Sequence, residues 1–431
     1  HGRRGLGSSV TCRGSALPGA LLAVVGVIAI ALWLSSDSTS HFVRREPGLD
    51  ERPDPALLAD LPRPVGVLTA GDGTPGTTVG SWPGFRGPRR DGICPEPGSL
   101  DLTWPEGGPR PLWAKQVGAG YAGAAIRAGR VYQLDHDRDP GADTLRCLTF
   151  DDGREIWRFA YPVKVKRNHG MSRTVPTVTD RYVVGFGPKC HVTCLDAATG
   201  EETWMIDLVR DHGATVPQWY AGQCPLVDGG RVILAPGGPD ALMLAVELET
   251  GQVAWTTPND LNWSMTHTSI VRADLGGVPT YVYCGNRGVV GVSVETGDVL
   301  WHTDAWKISI ATVPTPVPVG DDQVFFSGGY NAGSMMLRVE RTETGTLAPR
   351  VVYRLGPETF GATQQTPILH KGHLYGVRPD GQLTCLRLDG SVAWTSGARV
   401  TFGLCPFLIA DDLLYALDEG GFLSLVRAVP Q

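Results

Sequence analysis

One short segment combines the side chains that bind haem or zinc. It reads Cys190-His191-Val192-Thr193-Cys194. Covalent haem attachment requires the order Cys-x-x-Cys-His, which occurs nowhere in the sequence. A zinc site built on this segment would lack a second cluster of ligands. The segment therefore predicts an ordinary strand, and we expect neither a metal site nor a bound cofactor.

The nine cysteines are an odd number, so at least one of them has no partner within the chain. Cys147, Cys194 and Cys385 share one sequence pattern, and Cys224 and Cys405 share another. Such equivalence predicts small buried strand residues in separate repeated units. A disulfide between Cys190 and Cys194 stays open as the alternative, because an external compartment would permit it.

Histidines and carboxylates show no catalytic pattern. The histidines at 169, 212, 267, 370 and 373 are scattered, which predicts surface or hydrogen-bonding roles. The carboxylate pairs at 151–152, 321–322 and 411–412 fall where hairpin turns are expected. No G-x-S-x-G, Walker, EF-hand or Rossmann motif stands in a suitable context. We therefore predict no catalytic residue and a protein that is not an enzyme.

The elements that position all these residues are repeats of about 45–50 residues. Thr-Gly-x-x-x-Trp recurs three times and looser copies occur twice, while Thr344-Gly345 with Tyr353 forms a degenerate copy. The tryptophans of this register are Trp113, Trp157, Trp204, Trp255, Trp301 and Trp394. Each repeat contains four short apolar segments separated by Gly and Asp turns, a pattern typical of a β-propeller blade.

The predicted fold is all-β, a seven-bladed β-propeller of four-stranded antiparallel blades, with six or eight blades left open. Stacked blades cover each other's faces, and each tryptophan is expected to pack across onto the next blade. The glycine of the Thr-Gly turn supplies the positive φ that the turn requires. We predict that an N-terminal strand at Pro111–Ala114, which contains Trp113, completes the last blade and closes the ring.

In a propeller, the loops that enter the innermost strands line one mouth of the central channel. The candidate ligand or partner contacts there are Tyr121, Arg173, Tyr220, Gln223, His267, Gln364 and Gln365. Convergent polar and aromatic side chains would suit a ligand or a peptide. A channel that holds only water is the alternative.

The N-terminal part of the sequence predicts a membrane anchor. Residues 16–34 carry no charge, and a helix of that length spans roughly 28 Å. Arg3, Arg4 and Arg13 precede this stretch, which predicts a cytoplasmic tail at residues 1–15 and a single-pass inner-membrane protein with a periplasmic or extracellular propeller. A cleaved signal peptide is the alternative. A Pro/Gly-rich tether is expected at 35–81 and the propeller at 82–431.

Composition excludes two classes of protein. Hydrophobic residues make up 42% of the chain and charged residues 19%, which excludes global disorder. The formal net charge of −6 argues against nucleic-acid binding, which would require a basic face.

The Thr-Gly-x-x-x-Trp strand, preceded by Cys-Leu-Asp-Ala-Ala at 194–198, resembles the Trp-docking repeat of the PQQ-like β-propeller family. That family includes quinoprotein alcohol dehydrogenases and the propeller lipoprotein of the outer-membrane β-barrel assembly machinery. The segment Trp82–Pro88, followed by Arg90-Asp91-Gly92, looks like the entry segment of a bacterial, non-enzymatic branch.

The predicted anchor, the lack of catalytic motifs and the rigid disc with its many loops favour a non-catalytic scaffold or accessory subunit of a membrane protein complex. Its partners would be other subunits, reached through the transmembrane helix, the tether and the propeller loops, together with the lipid bilayer. One alternative is a PQQ-dependent quinoprotein oxidoreductase with Ca²⁺, and another is a periplasmic ligand sensor. The adjacent cysteines of quinoprotein dehydrogenases are absent here, and the chain is one blade short of their eight.

Overall fold

The computed structural model describes residues 17–35, 62–96, 98, 102–166, 171–404, 406–418 and 420–430. The chain forms two compact units, residues 1–58 and 59–431. The first contains helix α1 (Leu17–Ser35). Within the described ranges, no helix is both long enough and apolar enough to cross a membrane, so the predicted transmembrane helix is not confirmed. The predicted tail at 1–15 and residues 36–61 of the predicted tether lie outside the described residues.

The described residues of the second unit form seven β-sheets, which we number 1 to 7 along the chain. The described part of this unit also contains one short helix, α2 (Leu208–His212), which Asp207 caps at its N-terminus. Sheet 1 has five strands, β1 (Val67–Ala70), β3 (Ala125–Arg127), β4 (Arg130–Asp137), β5 (Ala142–Thr149) and β6 (Glu155–Pro162). Sheet 2 has β7 (Thr177–Val178), β8 (Tyr182–Phe186), β9 (His191–Asp196) and β10 (Glu202–Asp207). Sheet 3 has β11 (Leu226–Asp228), β12 (Arg231–Leu234), β13 (Met243–Glu247) and β14 (Val253–Thr257).

The remaining four sheets follow the same antiparallel meander. Sheet 4 has β15 (Val271–Leu275), β16 (Val278–Gly285), β17 (Gly288–Ser293) and β18 (Val299–Thr303). Sheet 5 has β19 (Val317–Val319), β20 (Gln323–Gly328), β21 (Gly333–Arg341) and β22 (Leu347–Leu355). Sheet 6 has β23 (Ile368–His370), β24 (His373–Val377), β25 (Leu383–Arg387) and β26 (Val392–Thr395). Sheet 7 has β27 (Phe407–Ala410), β28 (Leu413–Leu417), β29 (Leu423–Arg427) and the distant β2 (Ile93–Cys94). The architecture is all-β, as the sequence predicts, and is that of a β-propeller.

In sheets 2 to 6, apolar side chains on both faces bury the central strands. In sheet 2, Val183 and Leu195 pack against sheet 1, whereas Val184 and Cys194 pack against sheet 3. Alternate residues of a strand point to opposite faces, so a strand covered on both sides needs a continuous apolar run. This requirement explains why the middle strands of sheets 2 to 4 contain few polar residues.

The tryptophan of each repeat follows a β-bulge and reaches the next sheet. A register shift precedes Trp157, which lies opposite Cys147, and the same irregularity recurs at Trp204 opposite Cys194. Trp394 likewise lies opposite Cys385. A bulge redirects the side chain that follows it. The three equivalent cysteines are therefore small buried residues that accommodate an indole.

One turn departs from this docking pattern. Trp301 lies opposite Gly291, as three other tryptophans lie opposite the equivalent cysteines, and it reaches the buried cluster between sheets 4 and 5. Nothing, however, lies within 4 Å of where a Cβ on Gly345 would be. The longer third and fourth strands of sheet 5 move that turn away from the indole. Tyr353 takes the tryptophan position in sheet 5 and lies against Gly390 of sheet 6.

The ring is not closed by the strand that the sequence predicts. Residues 111–114 form no strand, and β2 joins sheet 7 instead, pairing in parallel with β27. Pro111 lacks the N–H that an outer strand would donate. The indole of Trp113 still docks on sheet 1, where its Nε1 donates to the Phe150 carbonyl at 2.8 Å.

The described part of the predicted tether is not free chain. Strand β1 pairs antiparallel with β6 and so becomes the outermost strand of sheet 1. Arg63 forms an ion pair with Asp211 at 2.8 Å. The backbone N–H of Gly76 donates to the Gly129 carbonyl at 2.7 Å. Residues 62–81 therefore lie along sheet 1, because its outer edge offers unpaired backbone groups.

Candidate binding surface at the channel mouth

The strand order gives the propeller two different faces. We call upper the face with the connections between sheets and the turns between second and third strands, and lower the face with the Thr-Gly turns. All seven predicted contact residues lie in segments that enter an innermost strand. The upper face is therefore where the structure places them.

Four of these seven residues come together around Arg173. Burial lowers the pKa of the Arg173 guanidinium, whereas the nearby phenols of Tyr121 and Tyr220 raise it. The charge of Arg173 in turn lowers the pKa of His267. The backbone N–H of Tyr121 donates to the Ser172 carbonyl at 2.7 Å, which ties the approach to sheet 1 to that of sheet 2. A cation flanked by two phenols and an imidazole can bind a carboxylate or an aromatic group.

The imidazole of His267 is held in its neutral form. Burial and, to a smaller extent, the nearby charge of Arg173 together lower the pKa of His267 to about 4. The ring centroid lies 6.2 Å from that of Trp219, and the backbone N–H donates to the Thr312 carbonyl at 3.2 Å. At neutral pH this side chain therefore offers a hydrogen bond without a positive charge.

Tyr220 is held by the backbone rather than presented to solvent. Its Oη accepts from the Lys166 N–H at 2.7 Å and donates to the Lys166 carbonyl at 2.8 Å. The residue has a φ of 68°, and its side chain is buried. Burial raises the pKa of the Tyr220 phenol. Tyr121, by contrast, is 76% exposed and is the accessible aromatic of the group.

The structure does not bring the other three predicted residues to the Arg173 group. Gln223 is fully buried, and its Oε1 accepts from the Ala235 N–H at 2.9 Å, so it holds sheet 3 together. Gln365 donates from Nε2 to the Gly403 carbonyl at 2.9 Å and fixes the connection between sheets 6 and 7. Gln364 is exposed and lies beside Gln365 in the connection between sheets 5 and 6.

A buried carboxyl that the sequence analysis missed lies directly beneath this group. Asp143 accepts from Ser172 Oγ and from Tyr161 Oη, each at 2.7 Å. Burial raises the pKa of Asp143 to about 7, although both hydrogen bonds lower it. Ser172 adjoins Arg173, so this carboxyl positions the loop that carries the guanidinium. The signal that could have identified it is an aspartate on the same face of β5 as the apolar Leu145 and Cys147.

The upper face also carries exposed apolar side chains that sequence reasoning did not single out. Phe422 is 71% exposed and Ile310 is 56% exposed. The other members of this apolar set are Tyr330, Leu404 and Leu417, each with about two fifths of its surface exposed. They lie in turns and connections of sheets 4 to 7, whereas the Arg173 group lies on sheets 1 to 4. We call the apolar set and the Arg173 group together the upper surface.

The remaining chemical candidates are structural. Among the described residues, no group of three or more His, Cys, Asp or Glu side chains could hold a metal ion. Cys190 and Cys194 are separate free thiols. Cys405 and His169 lie outside the described residues. Asp412 binds His370 Nε2 at 2.8 Å and Lys371 Nζ at 2.6 Å, which ties a turn of sheet 7 to sheet 6.

Comparison with known proteins identifies one matching family and several similar structures. Residues 110–396 match the family described as outer membrane protein assembly factor BamB. The structure of BamB from Moraxella catarrhalis is 13% identical, with a TM-score of 0.46, covering 71% of this chain and 95% of that one. No curated protein matches the sequence.

Two enzymes are also among the similar structures. A europium-containing methanol dehydrogenase is 14% identical, with a TM-score of 0.49, covering 69% of this chain and 72% of that one. The quinohemoprotein alcohol dehydrogenase from Comamonas testosteroni is 10% identical, with a TM-score of 0.41, covering 78% and 76%. At such identities the likeness concerns the fold alone.

Proposed function

The chain belongs to the family of the outer membrane protein assembly factor BamB, and on this premise we propose that it is a non-catalytic scaffold or accessory subunit of a membrane protein complex. We propose further that sheets 1 to 7 are the seven blades of one closed propeller. Docking of Trp113 on sheet 1 supports closure. The Trp113 indole lies against the turn glycine of sheet 1, Gly153, just as the Trp157 indole lies against the turn glycine of sheet 2, Gly200.

The scaffold proposal rests on the upper surface. Exposed Phe422, Ile310 and Tyr121 stand on the same face as the Arg173 guanidinium. Aromatic residues and arginine are enriched where proteins bind one another. On the lower face, by contrast, residues 71–78 of the chain itself cover the turns of sheet 1.

We also propose that residues 16–34 anchor the propeller outside the cytoplasmic membrane. The stretch is free of charge and follows three arginines. Alkaline extraction of membranes from cells that make the full chain tests this location. Release of the protein into the soluble fraction contradicts the anchor without bearing on the upper surface.

Co-purification of the full chain in mild detergent, after crosslinking in cells, tests the scaffold role. Phe422→Glu should abolish capture of the partner subunits, because a charge would be buried in the interface. Val253→Glu is the matched control, since Val253 is 45% exposed but lies on the outer strand β14. Equal capture by both variants contradicts the proposal.

An activity assay separates the scaffold from the enzyme reading. PQQ and Ca²⁺ are added to the purified full chain with an alcohol and an electron-accepting dye. Under the scaffold proposal no dye is reduced. Reduction that disappears in Arg173→Ala would establish the quinoprotein alternative instead.

A further inference from the structure

Residues 82–94, which we call the axial segment, begin on the innermost strand of sheet 1. The N–H of Trp82 donates to the Ile126 carbonyl and the N–H of Ile126 donates to the Trp82 carbonyl, both at 2.8 Å. The next carbonyl, that of Pro83, accepts from the Val178 N–H on β7 at 2.7 Å. The segment is thus bound to sheets 1 and 2 by its first two residues.

Two arginines then connect the axial segment to distant sheets. Arg86 donates to the carbonyls of Thr366 and Pro367, both at 2.9 Å, just before β23 of sheet 6. Arg90 donates to the Pro225 carbonyl at 3.1 Å, just before β11 of sheet 3. Carbonyl acceptors at the starts of innermost strands therefore fix both guanidinium groups.

The axial segment ends on sheet 7. The Ile409 N–H donates to the Gly92 carbonyl at 3.0 Å, and Ile93 and Cys94 pair with Ile409 and Ala410. The segment has now bound innermost strands, or the residues that enter them, in sheets 1, 2, 3, 6 and 7. So short a segment reaches opposite sides of a ring only when it lies on the axis.

The boundary between sheets 7 and 1 differs from the other six. Six buried apolar clusters join sheets 1 and 2, 2 and 3, 3 and 4, 4 and 5, 5 and 6, and 6 and 7. Within the described residues, no such cluster joins sheet 7 to sheet 1. Every other boundary is stabilised by apolar burial, so the last one needs a different connection.

The backbone of the axial segment is strained where its arginines lie. Arg86 has a φ of 64° and Arg90 a φ of 57°, conformations that side chains other than glycine rarely adopt. Such strain persists only where surrounding contacts fix the backbone. The arginine hydrogen bonds to sheets 3 and 6 supply those contacts.

We propose that the axial segment is the clasp that closes the propeller, joining sheet 7 to sheet 1 through the centre of the ring and occupying the axis of the channel. Closure then comes from hydrogen bonds at the axis rather than from a shared outer strand. A ligand or partner that binds the upper surface would therefore contact the axial segment instead of entering an open channel.

Amide hydrogen exchange on the full chain tests the clasp. Arg86→Ala removes the hydrogen bonds to sheet 6, and exchange at the amides of Val178 and Ile409 should accelerate at least about tenfold. The amide of Val282 in sheet 4 should keep its rate. Arg89→Ala is the matched control, because the exposed Arg89 guanidinium contacts Asp91 of its own loop at 2.8 Å.

Unchanged exchange at both amides in Arg86→Ala, or equal acceleration in Arg89→Ala, would overturn the clasp. If Arg86→Ala does not fold, Arg86→Lys decides the question with the same two amides. Lysine keeps the charge, but its compact ammonium lacks the planar fork with which Arg86 reaches carbonyls of its own segment and of sheet 6 together. Faster exchange at Ile409 in that variant supports the clasp, and wild-type rates contradict it.

Discussion

The indole of Trp157 lies directly against Gly200 of the following sheet. A Cβ on Gly200 would come within 2.6 Å of the indole Cδ2 and within 2.8 Å of Leu68 Cδ1 on β1. The indole Nε1 donates to the Ala197 carbonyl, three residues before the glycine, at 3.3 Å. Trp204 repeats this arrangement, with Gly251 beneath the ring and the Leu248 carbonyl accepting at 2.9 Å. The turn therefore needs glycine for two reasons. Its φ is positive, and a Cβ would clash with the indole of the neighbouring sheet.

Replacement of Gly200 by alanine should destabilise the propeller more than replacement of Gly345. Both glycines have a positive φ, of 79° and 84°. In Gly345→Ala only the backbone conformation is penalised, at about 1 kcal/mol, because that position has open space. Gly200→Ala adds overpacking against Trp157, which should cost a further 1–3 kcal/mol or so. Chemical denaturation of both variants measures the difference. Equal losses would show that the indole contributes nothing to the glycine requirement.

The buried carboxyl of Asp143 should make the propeller less stable as pH rises. Its folded pKa of about 7 exceeds the ordinary value of 3.8, so folding takes up a proton between these values. The contribution of Asp143 to stability is therefore greatest below pH 4, decreases through pH 7 and is level above it. The shift corresponds to an upper bound of about 4 kcal/mol.

Asp143→Asn should remove this pH dependence, because an amide does not ionise. Unfolding measured at pH 5 and pH 8 should give a smaller difference for the variant than for the wild type. Asp260→Asn, at an exposed position, is the control and should keep the wild-type slope. The assignment fails if Asp143→Asn keeps that slope too.

The neutral state of His267 should be visible by NMR. Because burial and Arg173 lower its pKa to about 4, the imidazole signals should not move between pH 5.5 and 8. Arg173→Gln should raise the pKa of His267 only in part, since burial is the larger cause. Arg350→Gln, which breaks an ion pair with Glu340 on sheet 5, should leave it unchanged. Titration of His267 near 6.5 in the wild type would show that the imidazole is solvated.

The repeat could be predicted from the sequence because its physical requirements are local. A positive-φ glycine, a tryptophan four residues later and apolar strands are all contained within one period, so the all-β repeat architecture follows from them. Even the degenerate copy at Tyr353 is visible, since a smaller aromatic ring fits against Gly390. The bulge before each tryptophan explains the constant spacing.

The paths of the N-terminal residues could not be predicted from the same reasoning. Residues 62–94 contain Pro and Gly that break any periodic pattern, yet backbone groups on sheets 1 and 7 bind them. Their contacts are with residues far along the chain, such as Arg86 with Thr366, and no local pattern encodes these. The burial of Gln223 could not be predicted for a related reason, because it depends on a hydrogen bond to Ala235 of sheet 3 that the sequence pattern does not show.

Asp151 should hold residues 71–78 on the lower face. Its Oδ2 accepts from the Thr77 N–H at 2.8 Å and from Thr77 Oγ1 at 3.2 Å, and its Oδ1 accepts from the Thr78 N–H at 3.3 Å. These hydrogen bonds lower the pKa of Asp151. Asp151→Ala should therefore accelerate amide exchange at Thr77 and Gly76 by about tenfold, the effect expected from losing charge-assisted bonds.

Asp152→Ala separates this role from a general effect on the turn, since Asp152 binds Arg154 of its own turn at 2.8 Å. Release of residues 71–78 should also loosen β1, because this segment follows β1 directly. Since β1 pairs with β6, its loss would expose the outer edge of β6. An unpaired edge strand is a site of association between molecules. Asp151→Ala should consequently form oligomers at high concentration, as light scattering would detect, whereas Asp152→Ala stays as the wild type. Identical exchange and scattering in the two variants would mean that β1 holds this segment without Asp151.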